Sequence, residues 1–222
     1  MSNRIVPAVL TDNTKHLAQM LRQAECFANW VQIDIMDGLF VPSRSVSASD
    51  IANIETSLAW EAHLMVQEPR KYIDDFCDAG AKRIIVHYEA VKENAEDLVE
   101  YIINLGMTAG LALNPETPVG VLNDRLLSKL ECVLFMAVHP GFYGAQFLPE
   151  VLDKIASFRQ NYPNVSIGID GGVKAANIVD VARSGANEIC VGSAIFAQPD
   201  LAAAYFELNQ LVGFGQKTNV KP

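Results

Sequence analysis

Little in this chain ties it to nucleic acid, a membrane or an oxidising compartment. Its 17 Lys and Arg are outnumbered by 26 Asp and Glu, leaving a formal charge of -9, and no dense basic run interrupts the acidic balance. Binding a nucleic-acid backbone needs a positive stripe, so nucleic acid is excluded as the main partner. No apolar run approaches the roughly 20 residues of a bilayer span. The opening stretch MSNRIVPAVL lacks the apolar region and small-residue cleavage site of an export signal. No membrane partner and a cytoplasmic location are therefore expected. The four cysteines (Cys26, Cys77, Cys132, Cys190) have no CxxC spacing. That argues against a zinc ribbon or a disulfide framework and for reduced, mostly buried thiols. Gly/Ser/Pro linkers and low-complexity segments are also missing, so residues 1–222 are read as one domain.

What remains is half hydrophobic and under a fifth charged, the composition of a globular protein with a substantial core. Short β-branched runs alternate with stretches of helical period. Strands are expected near 4–10, 31–35, 60–64, 82–86, 107–112, 131–138, 165–169 and 187–191. Helices are expected near 14–26, 48–56, 69–78, 93–104, 119–126, 149–160, 175–184 and 199–211, with Asn13-Thr14, Pro69 and Pro149 as start signals. Eight such units in this length predict an α/β fold, a single (β/α)8 TIM barrel. An open doubly wound sheet uses the same alternation, but no GxGxxG follows the first strand. Polar residues also end many strands rather than meeting at one switch point.

In a barrel those strand ends converge on one face. Period-two alternation turns Gln32 and Asp34 inward and Val31, Ile33 and Ile35 toward the helices. His63, His87, His139 and Asp170 fall at the ends of strands 3, 4, 6 and 7. Any one of these histidines, alone, reads more readily as a hydrogen-bonded core or loop residue; the cluster with two carboxylates is what points to chemistry. Carboxylates brought from opposite sides of a barrel can flank a substrate carbon, one removing a proton and the other delivering one. Glycoside hydrolysis is disfavoured, because no loop suggests a long aromatic-lined cleft. Gly171-Gly172 after strand 7 and Gly192-Ser193 after strand 8, where a short helix begins, form a phosphate cradle of backbone N–H groups. The bland use of such glycines is to permit tight turns.

From Pro7 to about Phe196 the chain resembles the ribulose-phosphate 3-epimerase family. The resemblance rests on Ile33-Asp34-Ile35-Met36-Asp37-Gly38 with Phe40-Val41-Pro42, His63-Leu64-Met65-Val66, Ala79-Gly80-Ala81, Val86-His87-Tyr88-Glu89-Ala90, Ala112-Leu113-Asn114-Pro115 with Thr117-Pro118, Pro140-Gly141-Phe142, Asp170-Gly171-Gly172-Val173 and Gly192-Ser193-Ala194-Ile195-Phe196. It implies an isomerase that inverts C3 of a ketose phosphate, D-ribulose 5-phosphate to D-xylulose 5-phosphate, through a cis-enediolate, with Asp34 and Asp170 as acid and base. It also implies a divalent metal (Zn, Fe, Mn or Co) on Asp34, His63 and Asp170, and a homo-oligomer. Substrate and phosphate contacts are expected from His63, Gly141, Phe142, Gly144, Gly171, Gly172, Gly192 and Ser193. Ala8, Met36, Met65, Met136, His87 and His139 are expected to line the pocket.

Three positions depart from the family pattern. Gln32 stands where the family has its first histidine ligand, and an amide is a far poorer ligand for zinc or iron than imidazole. Ala8 replaces a serine, and the strand-6 loop reads His139-Pro140-Gly141-Phe142-Tyr143-Gly144-Ala145, moving the glutamine function toward Gln146. These changes keep three alternatives open: a phosphosugar-binding barrel without catalysis, a repurposed barrel with an altered or lost metal site, and a hexulose-6-phosphate 3-epimerase. A decarboxylase or hexulose-phosphate synthase expects Asp-x-Lys-x-x-Asp, and Asp34-Ile35-Met36-Asp37 has no such lysine.

Overall fold

A computed structural model describes residues 3–140 and 146–217. Eight parallel strands close into one barrel in sequence order: β1 (Arg4–Val9), β2 (Trp30–Met36), β3 (Ala59–Met65), β4 (Arg83–His87), β5 (Thr108–Leu113), β6 (Cys132–Met136), β7 (Ile167–Asp170) and β8 (Glu188–Val191). Each expected strand is present, and the open-sheet alternative is excluded. Every second side chain packs outward into the large core between sheet and helices, where Val31, Ile33, Ile35, Ala62 and Leu64 are essentially inaccessible to water. A smaller apolar cluster of Val6, Ala8, Ile85, Ala112, Leu134, Met136 and Cys190 fills the barrel itself.

The helices are less regular than their sequence periods. Helix α1 (Thr14–Ala24) starts on Asn13, whose side chain accepts the His16 N–H. Helix α2 (Ala48–Ala52) is shorter than expected and is opened by a Ser47/Asp50 capping box. The expected helix at 69–78 is a 3-10 turn over Pro69–Lys71 followed by α3 (Ile73–Asp78). The segment after β4 is divided into α4 (Tyr88–Val91), a 3-10 turn and α5 (Ala95–Asn104), with Lys92 at φ +45° marking the break. The expected helix at 119–126 is only a 3-10 turn and the four-residue α6 (Asp124–Leu127). Helices α7 (Glu150–Asn161), α8 (Ile178–Ser184), α9 (Ser193–Phe196) and α10 (Leu201–Lys217) complete the ring. None of the described helices is long and apolar enough to cross a membrane.

The floor of the barrel, at the N-terminal ends of the strands, is ionic. Arg83 opens β4 and is buried between Glu61 of β3 and Glu188 of β8, donating through Nε to Glu61 Oε2 at 2.5 Å and through Nη1 to Glu188 Oε1 at 3.2 Å. Its Nη2 also pairs with both carboxylates. Arg4 adds a second cation on Glu188 at 3.0 Å, and both guanidinium groups lie over the Trp30 ring. Burial pushes the Glu61 carboxyl upward against the pull of Arg83. Glu188, also buried, is held below its ordinary value by hydrogen bonds and charge from Arg83 and Arg4.

Candidate active site

At the opposite end of the barrel, the β2–β3 register places Asp34 beside His63 and Met36 beside Met65. Asp34, His63 and Asp170 each turn one ligand-type atom toward a common point, all within 4.8 Å of one another, and all three are buried. His63 sits two residues inside β3 rather than at its end, while Asp170 is the last residue of β7. The two carboxylates come from strands three steps apart around the closed sheet, not from directly opposed ones.

Gln32 lies just below them. Its Nε2 donates to Asp34 Oδ1 at 2.9 Å and to Asp170 Oδ2 at 2.8 Å, and its Oε1 accepts from the Cys190 thiol at 3.2 Å. Carboxylate oxygens can only accept, so they fix which end of the amide faces them. Nothing in the sequence marks Cys190 for this role, since a thiol within an apolar strand reads as a small hydrophobe.

Two near-equivalent carboxyls are driven apart by these surroundings. Burial and the charge of Asp170 raise Asp34, outweighing its bonds to His63 and Gln32. Burial would raise Asp170 too, but the His63 hydrogen bond and charge, the Gln32 amide and the Gly171 N–H bring it below the ordinary carboxylate value. His63 would be depressed by burial, yet its bonds to Asp170 and Asp34 and their charges carry it to about 10. The pair is thereby biased in opposite directions, Asp34 toward its protonated form and Asp170 toward its ionised form, the division that acid–base chemistry on one carbon requires.

Two carboxylate oxygens and an imidazole nitrogen make a donor set that suits a divalent first-row ion, so these three residues fit a metal. Gln32 contributes less, because its oxygen is turned to Cys190 and its N–H2 to the carboxylates.

Above Asp170, a cavity of about 110 Å³ is bounded by Ala8, Leu10, Gly171, Gly172, Gly192 and Ser193. Gly171 and Gly172 adopt φ +108° and +65°, and a Cβ at Gly171 would lie 2.5 Å from Val138. Ser193 begins α9, as expected of a helix opening on this turn. Met36 and Met65 pack with Val41 at the barrel mouth, Met136 lies within the barrel, and His87 is buried against His63 and the Phe40 ring. His139 does not join them. Its ring is exposed and pairs with Glu116 at 3.0 Å, because the chain has left β6 three residues earlier. Gly141, Phe142 and Gly144 lie outside the described residues, and Gln146 is exposed.

Comparison with known proteins agrees with this geometry. The family model described as the ribulose-phosphate 3 epimerase family matches residues 4–196. A ribulose-phosphate 3-epimerase of Synechocystis sp. is 38% identical over 217 residues, covering 92% of this chain and 93% of its own. One from Eremothecium gossypii is 34% identical over 210 residues, covering 88% of this chain and 87% of its own. Among solved structures, 3-hexulose-6-phosphate synthase from Salmonella typhimurium superimposes with a TM-score of 0.73 at 12% identity, covering 96% of this chain and 99% of its own, a likeness of fold alone. With one family model matching residues 4–196 and relatives at 34% and 38% identity over most of the chain, the chain belongs to the ribulose-phosphate 3-epimerase family.

Proposed function

We propose that Asp34 and Asp170 exchange the C3 proton of D-ribulose 5-phosphate between its two faces, giving D-xylulose 5-phosphate. The observation that carries this assignment is the pair itself: two buried carboxyls tied through one amide nitrogen at 2.9 and 2.8 Å, with opposite protonation preferences. Asp170, disposed to be ionised, takes the proton from one face. Asp34, disposed to be protonated, returns one to the other face. The reverse reaction exchanges their roles. The cavity at Gly171, Gly172, Gly192 and Ser193 receives the phosphate on backbone N–H groups, which fixes C3 relative to the pair.

A divalent ion on Asp34, His63 and Asp170 would supply electrophilic stabilisation of the oxygens that gain charge when the proton leaves. The donor set suits zinc, iron, cobalt or manganese. Burial of the carboxyls, each only 8% exposed, keeps bulk water from competing for the transferred proton.

The test is C3 exchange in D2O. Ribulose 5-phosphate incubated with the protein should take up deuterium at C3, and either Asp34→Asn or Asp170→Asn should slow this by at least about 10²–10⁴-fold. An unchanged rate in either variant would show that the wrong carboxyl has been assigned. No exchange with any ketose phosphate would overturn the activity.

A further inference from the structure

From the reacting pair, a line of groups that proton exchange does not itself require runs outward to the end of β4 and the turn after it. His63 Nδ1 faces the carboxylates, at 3.0 Å from Asp34 Oδ1 and 3.4 Å from Asp170 Oδ2. Its Nε2 meets His87 Nε2 at 2.9 Å, with the two ring planes 19° from parallel. His87 Nδ1 in turn faces Glu89 Oε2 at an ion-pair distance of 3.4 Å, and both atoms are buried without a hydrogen-bond partner among the described residues. The other oxygen of Glu89 is committed elsewhere: Oε1 accepts the Asn114 N–H at 2.8 Å and the Thr117 hydroxyl. Lys154 holds that loop in place through the carbonyls of Asn114, at 3.0 Å, and Pro115, at 3.2 Å.

The geometry points to Glu89 as a positioning residue that sets the direction of hydrogen bonding through His87 to His63. An ionised carboxylate can only accept, so His87 carries its hydrogen on Nδ1. A neutral ring with Nδ1–H has a lone pair on Nε2, and that lone pair accepts from His63 Nε2–H. His63 is thereby obliged to keep its Nε2 hydrogen, which leaves Nδ1 as the atom presented to Asp34, Asp170 and any ion between them. Partners of this kind fix both the tautomer and the orientation of a functional imidazole. The inference rests on His63 serving the site as proposed above, but it is read out without turnover.

Glu89→Gln tests it sharply because the orientation of the new amide is dictated. Its oxygen must stay on the Asn114 N–H, so its N–H2 points at His87 Nδ1, where a hydrogen already sits. The conflict is relieved only if His87 moves its hydrogen to Nε2, and His63 then loses the one it held there. Nitrogen-15 spectra of the four histidines, recorded on the protein as purified and after loading with Zn²⁺, should show His87 changing from the Nδ1–H to the Nε2–H form in the variant. C3 exchange should fall by about 10–100-fold, mainly in kcat. Thr117→Val disturbs the same loop but leaves the carboxylate, and should keep the wild-type histidine spectrum and most of the activity. An unaltered His87 tautomer in Glu89→Gln, or an equal loss of activity in Thr117→Val, would overturn the assignment. If the wild-type protein turned over no ketose phosphate, the proposed activity would fail while the spectra still decided the relay.

Discussion

At the level of single residues, Gln32 carries the most consequence, because the resemblance to the family implies a histidine ligand at this position. An imidazole there would offer a lone pair, whereas the amide offers two N–H groups that neutralise part of the charge of both carboxylates. Gln32→His should therefore raise the metal content of the purified protein and its affinity for Zn²⁺, measured by elemental analysis and titration calorimetry. Stoichiometric metal in the unmodified protein, with no gain from the change, would show that the amide serves as well as imidazole. The sequence exposes Gln32 and Asp34 because they alternate with Val31 and Ile33, so a period of two reveals which face is polar. It hides Cys190, and it misplaces His139, for a related reason. A side chain's direction is legible within a strand, where the sheet imposes it, but not three residues past the strand's end.

At the level of elements, every strand was legible and the helices less so. Strand identity follows from β-branched runs that the closed sheet accommodates almost to their full length. Helix length depends instead on where loops must return to the sheet, which local periodicity does not encode. Helix α2 shows what sets such a boundary. Asp50 accepts the Ser47 N–H at 2.9 Å and the Ser47 hydroxyl at 2.6 Å, and from α1 it accepts the Thr14 hydroxyl at 2.7 Å. These bonds, those to Ser47 first, hold its carboxyl below the ordinary value of 3.8. A depressed folded-state value means that the stabilisation is present at neutral pH and is lost as pH falls through that folded value. Asp50→Ala should accordingly cost about 0.5–2 kcal/mol near neutrality. Chemical denaturation repeated at successively lower pH should show the gap to wild type closing below about pH 4. A gap independent of pH would mean that the carboxylate charge contributes nothing.

For the whole molecule, the barrel divides into an ionic floor, an apolar middle and a reactive mouth. The floor carries no sequence signal: Arg83 heads the run Arg83-Ile84-Ile85-Val86, and Glu61 sits between Trp60 and Ala62, so both read as the edges of apolar strands. Arg83→Met would leave Glu61 and Glu188 facing each other without their shared cation. Breaking a buried ion pair in this way typically costs about 3–5 kcal/mol. Thermal unfolding should show a corresponding loss, which replacing Glu61 and Glu188 by apolar residues in the same chain should largely restore. If Arg83→Met unfolded at the wild-type temperature, the network would be dispensable.

The floor also has a bearing on how the two ends of the barrel relate. Two cations and two anions close on themselves there. Glu61 stands beside Gln32 in the β2–β3 register, and the charges of Glu61 and Glu188 reach Cys190, the thiol that donates to the Gln32 amide. Durability and reactivity thus meet at one register position, where Glu61 of the floor neighbours the amide that ties the reacting carboxyls together. Rebuilding the lower end for heat or solvent tolerance therefore has to preserve the neighbour of Gln32, or the proton chemistry at the mouth is retuned with it.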